Sequence, residues 1–490
     1  MSDLVPRVPL RPLVWPDIVL ELADLLAGRD SPVYVVGGAV RDAYLHRPVK
    51  DIDLAVADNA VGLARQIANA LHGDFFVLDA ERDVGRALVN AASGRIIVDV
   101  TRFRGGDLLA DLADRDFTIN AAAVDLRAPD QVIDPLNGLP DLEDRLLRRC
   151  SPHAIADDPI RALRAVRQSV QLGLRIEPET LADIRSAGPR LMATSPERVR
   201  DEFFKLLSLP NPASALRVAD AVGLLPAILP EVVPLHGLEL SAPHIFDGWR
   251  HTLAVVESLN QIAASISYSR TDDSAASFSL GMLVMQLDRY RRQLDAHLQT
   301  VWPNERSHRA LLSLAALLHD SGSYGFTGHE AASAQIAARR ADALRLSNHE
   351  KQRLVALIEH QSQPVFRSDT LTRRDIYRFW HSLDVVGVDV CLLTLADYLG
   401  TVGTELNQAV WLALVERVRL LLDAYLERYH EMVAPPPLLD GKQLMQALGL
   451  SPGPIVGELL DAIRENQAAG EVRTVEDALQ FARLHLNGHN

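Results

Sequence analysis

The sequence predicts an α+β domain at the N-terminal end, followed by domains built of helices. Short apolar runs rich in β-branched residues, such as residues 33–36 and 95–100, alternate with helical stretches up to about Cys150. Beyond Cys150 the apolar spacing is helical almost to the end of the chain. A chain of 490 residues is long enough for roughly two to four domains. We expect four regions, which we place at residues 1–150, 151–235, 240–430 and 431–490.

The composition is that of an ordinary globular protein, with 48% hydrophobic and 23% charged residues. The two cysteines, Cys150 and Cys391, are too few for a disulfide framework or a cysteine-based metal site. We find no signal-peptide pattern and no long uncharged apolar run, so we expect a cytoplasmic protein without a membrane span. A net charge of −14 argues against a general nucleic-acid coat protein but not against a local basic surface.

The central stretch of the first domain is a glycine turn followed by a carboxylate pair. Gly37 and Gly38 end the predicted strand 33–36 and allow a close backbone approach, while the helix expected at 39–45 begins there and suits a phosphate. In the next predicted strand, alternation places Asp51 and Asp53 on one face. Two neighbouring carboxylates need a cation, and oxygen ligands of this kind suit Mg²⁺ held jointly with substrate phosphates.

This stretch resembles the class II tRNA nucleotidyltransferase and bacterial poly(A) polymerase family of the DNA polymerase β superfamily. The family signature, G-G-x-x-R-D followed by D-x-D, is matched at every position by residues 37–42 and 51–53. The resemblance implies a polymerase β-type nucleotidyltransferase head with a mixed sheet, in which Gly38 and Arg41 fix phosphates and the Asp51/Asp53 pair holds two Mg²⁺ ions. It also makes Asp99, on the predicted strand 95–100, a candidate third carboxylate; the alternative is a turn-forming aspartate at a strand end.

Residues 114–121 resemble the second motif of the family, R-R-D-F-T-I-N-A. Asp114 stands where the family has its first arginine, so one expected phosphate contact is missing. Arg115 is retained, and the resemblance implies that it binds the triphosphate. Asn120 is a candidate for a ribose contact or, alternatively, for a cap of the helix expected to follow.

The segment 157–167 carries a candidate base-selecting helix. A proline follows Asp158, which favours a helix start, and Arg161, Arg164 and Arg167 recur every three residues. A carboxylate and a guanidinium one turn apart, Asp158 and Arg161, match the Watson–Crick edge of cytosine or adenine, and the remaining arginines suit phosphates. The alternative is a salt-bridged helix surface.

The segment resembles the nucleotide-selecting motif E-D-x-x-R of the same family, with Asp157 replacing the glutamate. Residues 145–205 contain 12 Lys+Arg and 8 Asp+Glu, which is the local basic surface that an RNA contact requires.

The third region resembles the HD phosphohydrolase superfamily, whose metal ligands follow the order H…HD…D. Here the order is His251, His319 with Asp320, and Asp397; His329 and His360 are further candidates. The resemblance implies a divalent metal site for Mn, Ni, Co or Mg. The lysine expected after Gly322 is a serine, so we expect metal binding more than hydrolysis. The alternative is a helical region that only holds RNA.

Together these motifs predict a nucleotidyltransferase that adds C and A nucleotides from CTP and ATP to the 3′ end of tRNA with Mg²⁺. A poly(A) polymerase or an enzyme adding only CC or only A would share every motif. An HD-type phosphohydrolase with an idle head and a non-catalytic RNA-binding protein are the alternatives from other classes. The sequence leaves the oligomeric state open.

Overall fold

A computed structural model of the chain describes residues 5–91, 94–270, 277–322, 330–366 and 370–488. The chain forms two compact units. Unit one comprises Met1–Ser195 and Val218–Ala227, and unit two comprises Pro196–Arg217 and Ile228–Asn490.

Unit one contains a six-stranded mixed sheet with the strand order β3-β4-β5-β2-β1-β6. Its strands are β1 (Tyr34–Val36), β2 (Asp51–Val56), β3 (Asp74–Asp79), β4 (Val84–Ala91), β5 (Gly94–Arg102) and β6 (Ala123–Asp125). Within this sheet β2 and β5 pair in parallel, and the other neighbouring strands pair antiparallel. The α+β prediction with a mixed sheet in the head is therefore confirmed.

The helices up to residue 195 cover this sheet or follow it in the chain. They are α1 (Asp17–Leu26), α2 (Gly38–Tyr44), α3 (Ala60–Ala70), α4 (Leu108–Ala113), α5 (Gly138–Glu143), α6 (Ala154–Asp157), α7 (Ile160–Leu172), α8 (Pro178–Ser186) and α9 (Gly188–Leu191). Helix α3 packs on β4 and β5 through a buried apolar face that includes Leu63 and Ile67. Burial of this face holds the sheet together, because apolar area removed from water contributes about 25 cal/mol per Å².

The predicted helix start at the proline after Asp158 is confirmed. The short helix α6 ends at Asp157. The next residue, Asp158, has an extended backbone, and α7 begins after Pro159. Gly173 closes α7 with a φ of +66°. The expected helical pattern beyond Cys150 is interrupted by the two-residue strand β8 (Arg175–Ile176), which pairs in parallel with β7 (Leu146–Leu147).

Unit two consists mainly of helices packed on one another. Two helices, α11 (Pro212–Ala221) and α12 (Leu225–Ile228), are divided between the two units, because residues 218–227 belong to unit one. The helices that lie wholly in unit two are α10 (Pro196–Leu207), α13 (Gly248–Ser265), α14 (Phe278–Leu287), α15 (Arg291–Gln299), α16 (His308–Leu318), α17 (Glu330–Ala343), α18 (Asn348–Glu359), α19 (Arg373–Leu383), α20 (Val386–Val402), α21 (Gln408–Leu426), α22 (Gly441–Leu448), α23 (Pro454–Ala469) and α24 (Val475–Gly488). Helix α13 packs against both α16 and α20, which brings residues distant in sequence together.

Residues 225–243, which are rich in proline and leucine, contain the 3₁₀ segment Pro230–Leu235, where Val232 and Leu235 are buried. Despite the prolines, this segment is packed, because burial of its apolar side chains stabilises a packed conformation.

Across the described ranges, none of the helices taken singly has both the length and the apolar character required to cross a membrane. The bent pair α19 and α20, at 109°, meets these criteria when its two helices are taken together.

Candidate active site

Strand β2 carries the predicted carboxylate pair. Asp51 is exposed and Asp53 is half-buried, two residues further along the strand. The parallel pairing of β2 with β5 places Asp53 opposite Asp99. Burial raises the pKa of Asp53, and the charges of Asp99 and Asp51 raise it further, against the opposing effect of Arg115. Three carboxylates this close disfavour their own ionisation, and a bound cation would relieve the repulsion.

Asp99 lies inside β5 rather than at its end, so the interpretation as a turn-forming aspartate was wrong. Its two carboxylate oxygens accept hydrogen bonds from Arg86 of β4, at 2.7 Å from Nε and 2.8 Å from Nη2. Sequence analysis did not single out Arg86, because its partner is defined by strand pairing rather than by local spacing. A metal-binding role for Asp99 stays a prediction.

The glycine turn borders both Asp53 and Arg115. Gly37 has a φ of +76°, which disfavours residues with a Cβ atom. A Cβ at this position would lie 2.9 Å from Nη1 of Arg115 and 3.3 Å from Oδ2 of Asp53. At Gly38, where α2 begins, a Cβ would lie 3.3 Å from Nη2 of Arg41. The predicted phosphate-binding and metal-binding side chains therefore meet around this turn.

Arg115 is held in place by Asp111, one helical turn earlier. Oδ2 of Asp111 accepts from Nε of Arg115 at 3.2 Å and from Nη2 at 2.9 Å. Asp111 is buried and also accepts the backbone N–H of Arg104 at 3.1 Å. Its i,i+4 spacing to Arg115 was the signal that could have revealed it. Asp114, which replaces the family arginine, instead has an exposed contact of 3.4 Å with Arg104.

A buried network joins Arg41 to the second motif and to α7. The amide oxygen of Asn120 accepts from Nη1 of Arg41 at 2.6 Å. Its amide nitrogen donates to Asp116 at 2.9 Å and to Gln168 of α7 at 3.0 Å. The helix-cap interpretation of Asn120 was wrong, because this residue ends a 3₁₀ turn (Thr118–Asn120) and β6 follows. Sequence analysis did not single out Gln168.

Arg161 donates mainly to the backbone. Its Nη2 lies 2.7 Å from the carbonyl oxygen of Asp114, and its Nη1 lies 3.3 Å from that of Arg115 and 3.2 Å from that of Ala154. Its Nε is 4.0 Å from Oδ2 of Asp158. The structure thus brings Arg161 to the second motif beside Asp158, and the role of this pair in base selection stays a prediction.

The other two arginines of α7 differ in their surroundings. Nη1 of Arg164 lies 3.2 Å from Oδ2 of Asp116. Burial acts to raise the pKa of Asp116, but Arg164 and the hydrogen bond from Asn120 outweigh it and lower that pKa. Arg167 is bound to Gln171 on its own helix at 3.0 Å. Arg164, whose side chain is 44% exposed, therefore contacts the buried network from its surface, whereas Arg167 contacts the next turn of α7.

A second cluster lies within unit two, where α13 supplies His251, α20 supplies Asp397, and His319 with Asp320 follow α16. The two histidine Nε2 atoms are 3.3 Å apart. Oδ2 of Asp320 is 3.4 Å from both, and Oδ1 of Asp397 is 3.3 and 3.5 Å from them. The Nδ1 of His319 lies 2.8 Å from the carbonyl oxygen of Ala316, which orients Nε2 inward.

The electrostatics of this cluster favour a cation. Burial acts to lower the pKa of His251, but Asp320 and Asp397 outweigh it and raise that pKa to about 9. Conversely, the two histidines lower the pKa of Asp397 despite its burial. The ligand atoms of His251, His319 and Asp397 all lie within 4.8 Å of one another. The order of motifs predicted this convergence, which depends on the packing of α13 on α16 and α20.

Of the two further histidine candidates, His360 lies within the described residues and His329 does not. Nδ1 of His360 lies 3.1 Å from the amide nitrogen of Gln363. His329 and Ser323 lie outside the described residues. The neighbouring Gln361, which sequence analysis did not identify, donates to the carbonyl oxygen of His319 at 2.9 Å and helps to fix the cluster.

Comparison with known proteins places the chain among enzymes of one family. The family profiles "Poly A polymerase head domain" and "Probable RNA and SrmB- binding site of polymerase A" match residues 33–148 and 173–235. The A-adding tRNA nucleotidyltransferase of Deinococcus radiodurans is 33% identical, over 92% of this chain and 94% of its own length. The chain belongs to the tRNA nucleotidyltransferase family. The CC-adding tRNA nucleotidyltransferase of Geobacter sulfurreducens is also 33% identical, over 91% of this chain and 90% of its own length.

Solved structures support the fold of this nucleotidyltransferase. A CCA-adding enzyme in complex with ATP matches with a TM-score of 0.63 at 20% identity, covering 96% of this chain and 95% of the other. A Thermotoga maritima CCA-adding enzyme complexed with tRNA matches with a TM-score of 0.55 at 21% identity, covering 96% and 95%. The recognition of the family from the glycine turn and the carboxylate pair is confirmed.

Proposed function

We propose that this nucleotidyltransferase adds C and A nucleotides from CTP and ATP to the 3′ end of tRNA, using Mg²⁺. The observation that carries the proposal is the meeting of Asp53 and Arg115 at the glycine turn, with Asp51 two residues before Asp53 on the same strand. Its whole-length relatives are named as tRNA nucleotidyltransferases, which indicates the acceptor. We propose that it acts in the cytoplasm, where these nucleotides and tRNA occur.

The carboxylates fit Mg²⁺ because they are all oxygen donors and because burial, together with the charges of Asp99 and Asp51, raises the pKa of Asp53. In our proposal, Asp51 and Asp53 would hold two Mg²⁺ ions, which would supply the charge needed to activate the RNA 3′-hydroxyl and to stabilise the leaving pyrophosphate. Asp99 is a candidate third ligand.

Phosphate binding falls to the residues around the glycine turn. Gly38 allows the triphosphate to approach the backbone, while Arg41 and Arg115 supply fixed guanidinium groups. Asn120 and Asp111 hold these two arginines, so little reorganisation is needed when the nucleotide binds.

Base selection falls to α7 and the residue before it. We assign the choice of cytosine or adenine to Asp158 and Arg161, with Arg164 and Arg167 in support. A site built on such hydrogen bonds rejects a wrong base strongly, because that base leaves buried polar groups unpaired.

The four predicted regions receive roles in the same proposal. We assign residues 1–150 to catalysis, residues 151–235 to base selection and RNA contact, residues 240–430 to an HD-type domain, and residues 431–490 to a helical tail. The two family profiles support the first pair of assignments, because they match 33–148 and 173–235 separately. In the tail, a core that includes Leu444, Leu459 and Ile463 supports the last.

Replacement of either carboxylate tests the catalytic assignment. Asp51→Ala and Asp53→Ala should reduce transfer of labelled CTP and ATP to a tRNA lacking its 3′ end by about a thousandfold, since losing metal-assisted charge stabilisation costs several kcal/mol. Asp58→Ala, an exposed aspartate just beyond β2, is the control and should stay active. Near-wild-type transfer by either test variant would refute the assignment.

The product formed by the wild type decides how many nucleotides are added. Addition of C, C and A in sequence is the expected result. A product that stops after two cytidines, a single A on a CC-ended tRNA, or a long A tail would identify the CC-only, A-only or poly(A) alternative.

We also propose a second function, binding of a divalent metal by His251, His319, Asp320 and Asp397. Two facing imidazole nitrogens with two carboxylates form a donor set that suits Mn, Ni, Co or Mg. Such an ion can lower the pKa of a bound water for attack on a phosphoester. By resemblance to the HD superfamily, a 2′,3′-cyclic phosphate or a small phosphomonoester is the natural trial substrate.

Metal analysis of the purified protein, after exposure to each ion, tests this second function. His319→Ala and Asp320→Ala should lose the metal and any hydrolysis while nucleotide addition continues. His349→Ala, an exposed histidine on α18, should retain both. Absence of bound metal and of hydrolysis in the wild type would leave this region as a helical module that holds RNA.

A further inference from the structure

Asp53 and Asp99 belong to a row of charges that runs across three strands. Arg86 on β4 lies opposite Asp99 on β5, and Asp99 lies opposite Asp53 on β2. Paired residues in neighbouring strands point to the same face of a sheet, so one cation and two carboxylates stand side by side.

The first two members of this row form a bidentate ion pair. Nε and Nη2 of Arg86 lie 2.7 and 2.8 Å from the two different oxygens of Asp99. The side chains are 34% and 22% exposed, so water only partly screens the pair. Fork-to-fork pairs of this kind are among the stronger hydrogen-bonded contacts in proteins.

This ion pair bears directly on the metal site. Before a metal ion can bind an oxygen of Asp99, that oxygen must lose its hydrogen bond to Arg86, and the positive charge of Arg86 repels the ion. Asp51 and Asp53 lie on β2, which is one strand further from β4 than the strand of Asp99.

We propose that Arg86 competes with the divalent metal ion for Asp99. In the nucleotide-free protein, Asp51 and Asp53 hold the metal, and Asp99 becomes a ligand only after Arg86 releases it. Arg86 is thus a positioning residue that sets the metal affinity of the site. This inference rests on the proposed function of the same carboxylates.

Mn²⁺ binding to the nucleotide-free, full-length protein tests the inference, with bound ion measured by electron paramagnetic resonance. All variants carry His319→Ala so that the histidine cluster does not contribute; Asp397→Asn serves if that background does not fold. Arg86→Gln should tighten binding about tenfold, and Arg86→Lys should tighten it less, because lysine keeps the charge but loses the fork. Asp99→Asn alone should change the affinity less than threefold.

The double variant and a matched control separate ligand competition from a general change of charge. Adding Asp99→Asn to Arg86→Gln should abolish most of the gain. Arg82→Gln, which removes an 85% exposed arginine from the same hairpin, should have no effect. The inference fails if Arg86→Gln leaves Mn²⁺ affinity unchanged or weaker, if its gain persists with Asp99→Asn, or if Asp99→Asn alone weakens binding as much as Asp53→Asn.

Asp53→Asn also distinguishes failure of this inference from failure of the proposed function. If Asp53→Asn weakens Mn²⁺ binding but Arg86→Gln has no effect, only the competition is wrong. If Asp53→Asn leaves Mn²⁺ binding unchanged, the assignment of the catalytic metal site is wrong as well.

Discussion

The substitution Asn120→Asp exchanges one atom at the centre of the buried network. Asn120 accepts from Arg41, and its amide nitrogen donates to Asp116 and Gln168. An aspartate of the same shape keeps the first hydrogen bond. The amide nitrogen is replaced by a carboxylate oxygen, which would lie 2.9 Å from an oxygen of Asp116, the present length of the hydrogen bond.

The cost follows from the charges. Two unit charges 2.9 Å apart repel by about 6 kcal/mol at an effective dielectric constant of about 20. The new carboxyl can avoid this by retaining its proton, which at pH 7 costs about 4 kcal/mol for a group whose unfolded pKa is near 3.9. Arg41 offsets part of this repulsion, because it donates to residue 120, but its charge is shared with Asp42. Protonation sets the upper limit of the cost, so we expect the head to lose up to about 4 kcal/mol at pH 7. The raised pKa makes the folded variant bind more protons than the unfolded chain, so this loss shrinks by about 1.4 kcal/mol for each unit that the pH falls toward the unfolded pKa.

This loss is measured by urea unfolding between pH 5 and pH 8. Hydrogen exchange in peptides that cover β2 and β6 follows the unfolding of the head. Asn211→Asp is the control, because it makes the same chemical change at an exposed helix N-cap and should be nearly neutral. A loss below 1 kcal/mol at pH 7, or one that does not vary with pH, would refute the arrangement of donors and acceptors around Asn120.

Three further expectations concern base choice, a buried ion pair and the glycine turn. Arg161→Ala should shift the ratio of CTP, ATP, UTP and GTP incorporation; an equal fall for all four would contradict its role. Glu350→Gln should cost about 3 kcal/mol of unfolding free energy at pH 7, because it removes the buried negative charge beside the buried Arg306, which then keeps an ion pair with the exposed Asp201. Burial acts to raise the pKa of Glu350, but Arg306 outweighs it and lowers that pKa. In urea titrations, the difference in unfolding free energy between the wild type and Glu350→Gln should therefore vanish as the pH falls from about 4.5 through the folded pKa. Gly37→Ala should lower the free energy of unfolding by about 1–3 kcal/mol and raise the KM for both CTP and ATP. An unchanged KM would show that the turn takes no part in phosphate binding.

Local patterns were enough to predict much of the head. Alternation along β2 placed Asp51 and Asp53 two residues apart on one strand, and the paired glycines marked the turn before α2. These features depend on residues only a few positions apart, where backbone geometry alone determines which side chains are neighbours. The proline after Asp158 similarly marked the start of α7.

Only the tertiary structure decided which distant residues meet. The parallel register of β2 and β5 put Asp99 beside Asp53, and the pairing of β4 with β5 engaged Asp99 with Arg86. Likewise, the packing of α7 brought Gln168 to Asn120, where a helix cap had been an alternative. A shift of one residue in strand register would point every side chain of that strand to the other face. Register is determined by burial over the whole sheet and not by the spacing of residues within one strand, so the local sequence did not reveal these partners.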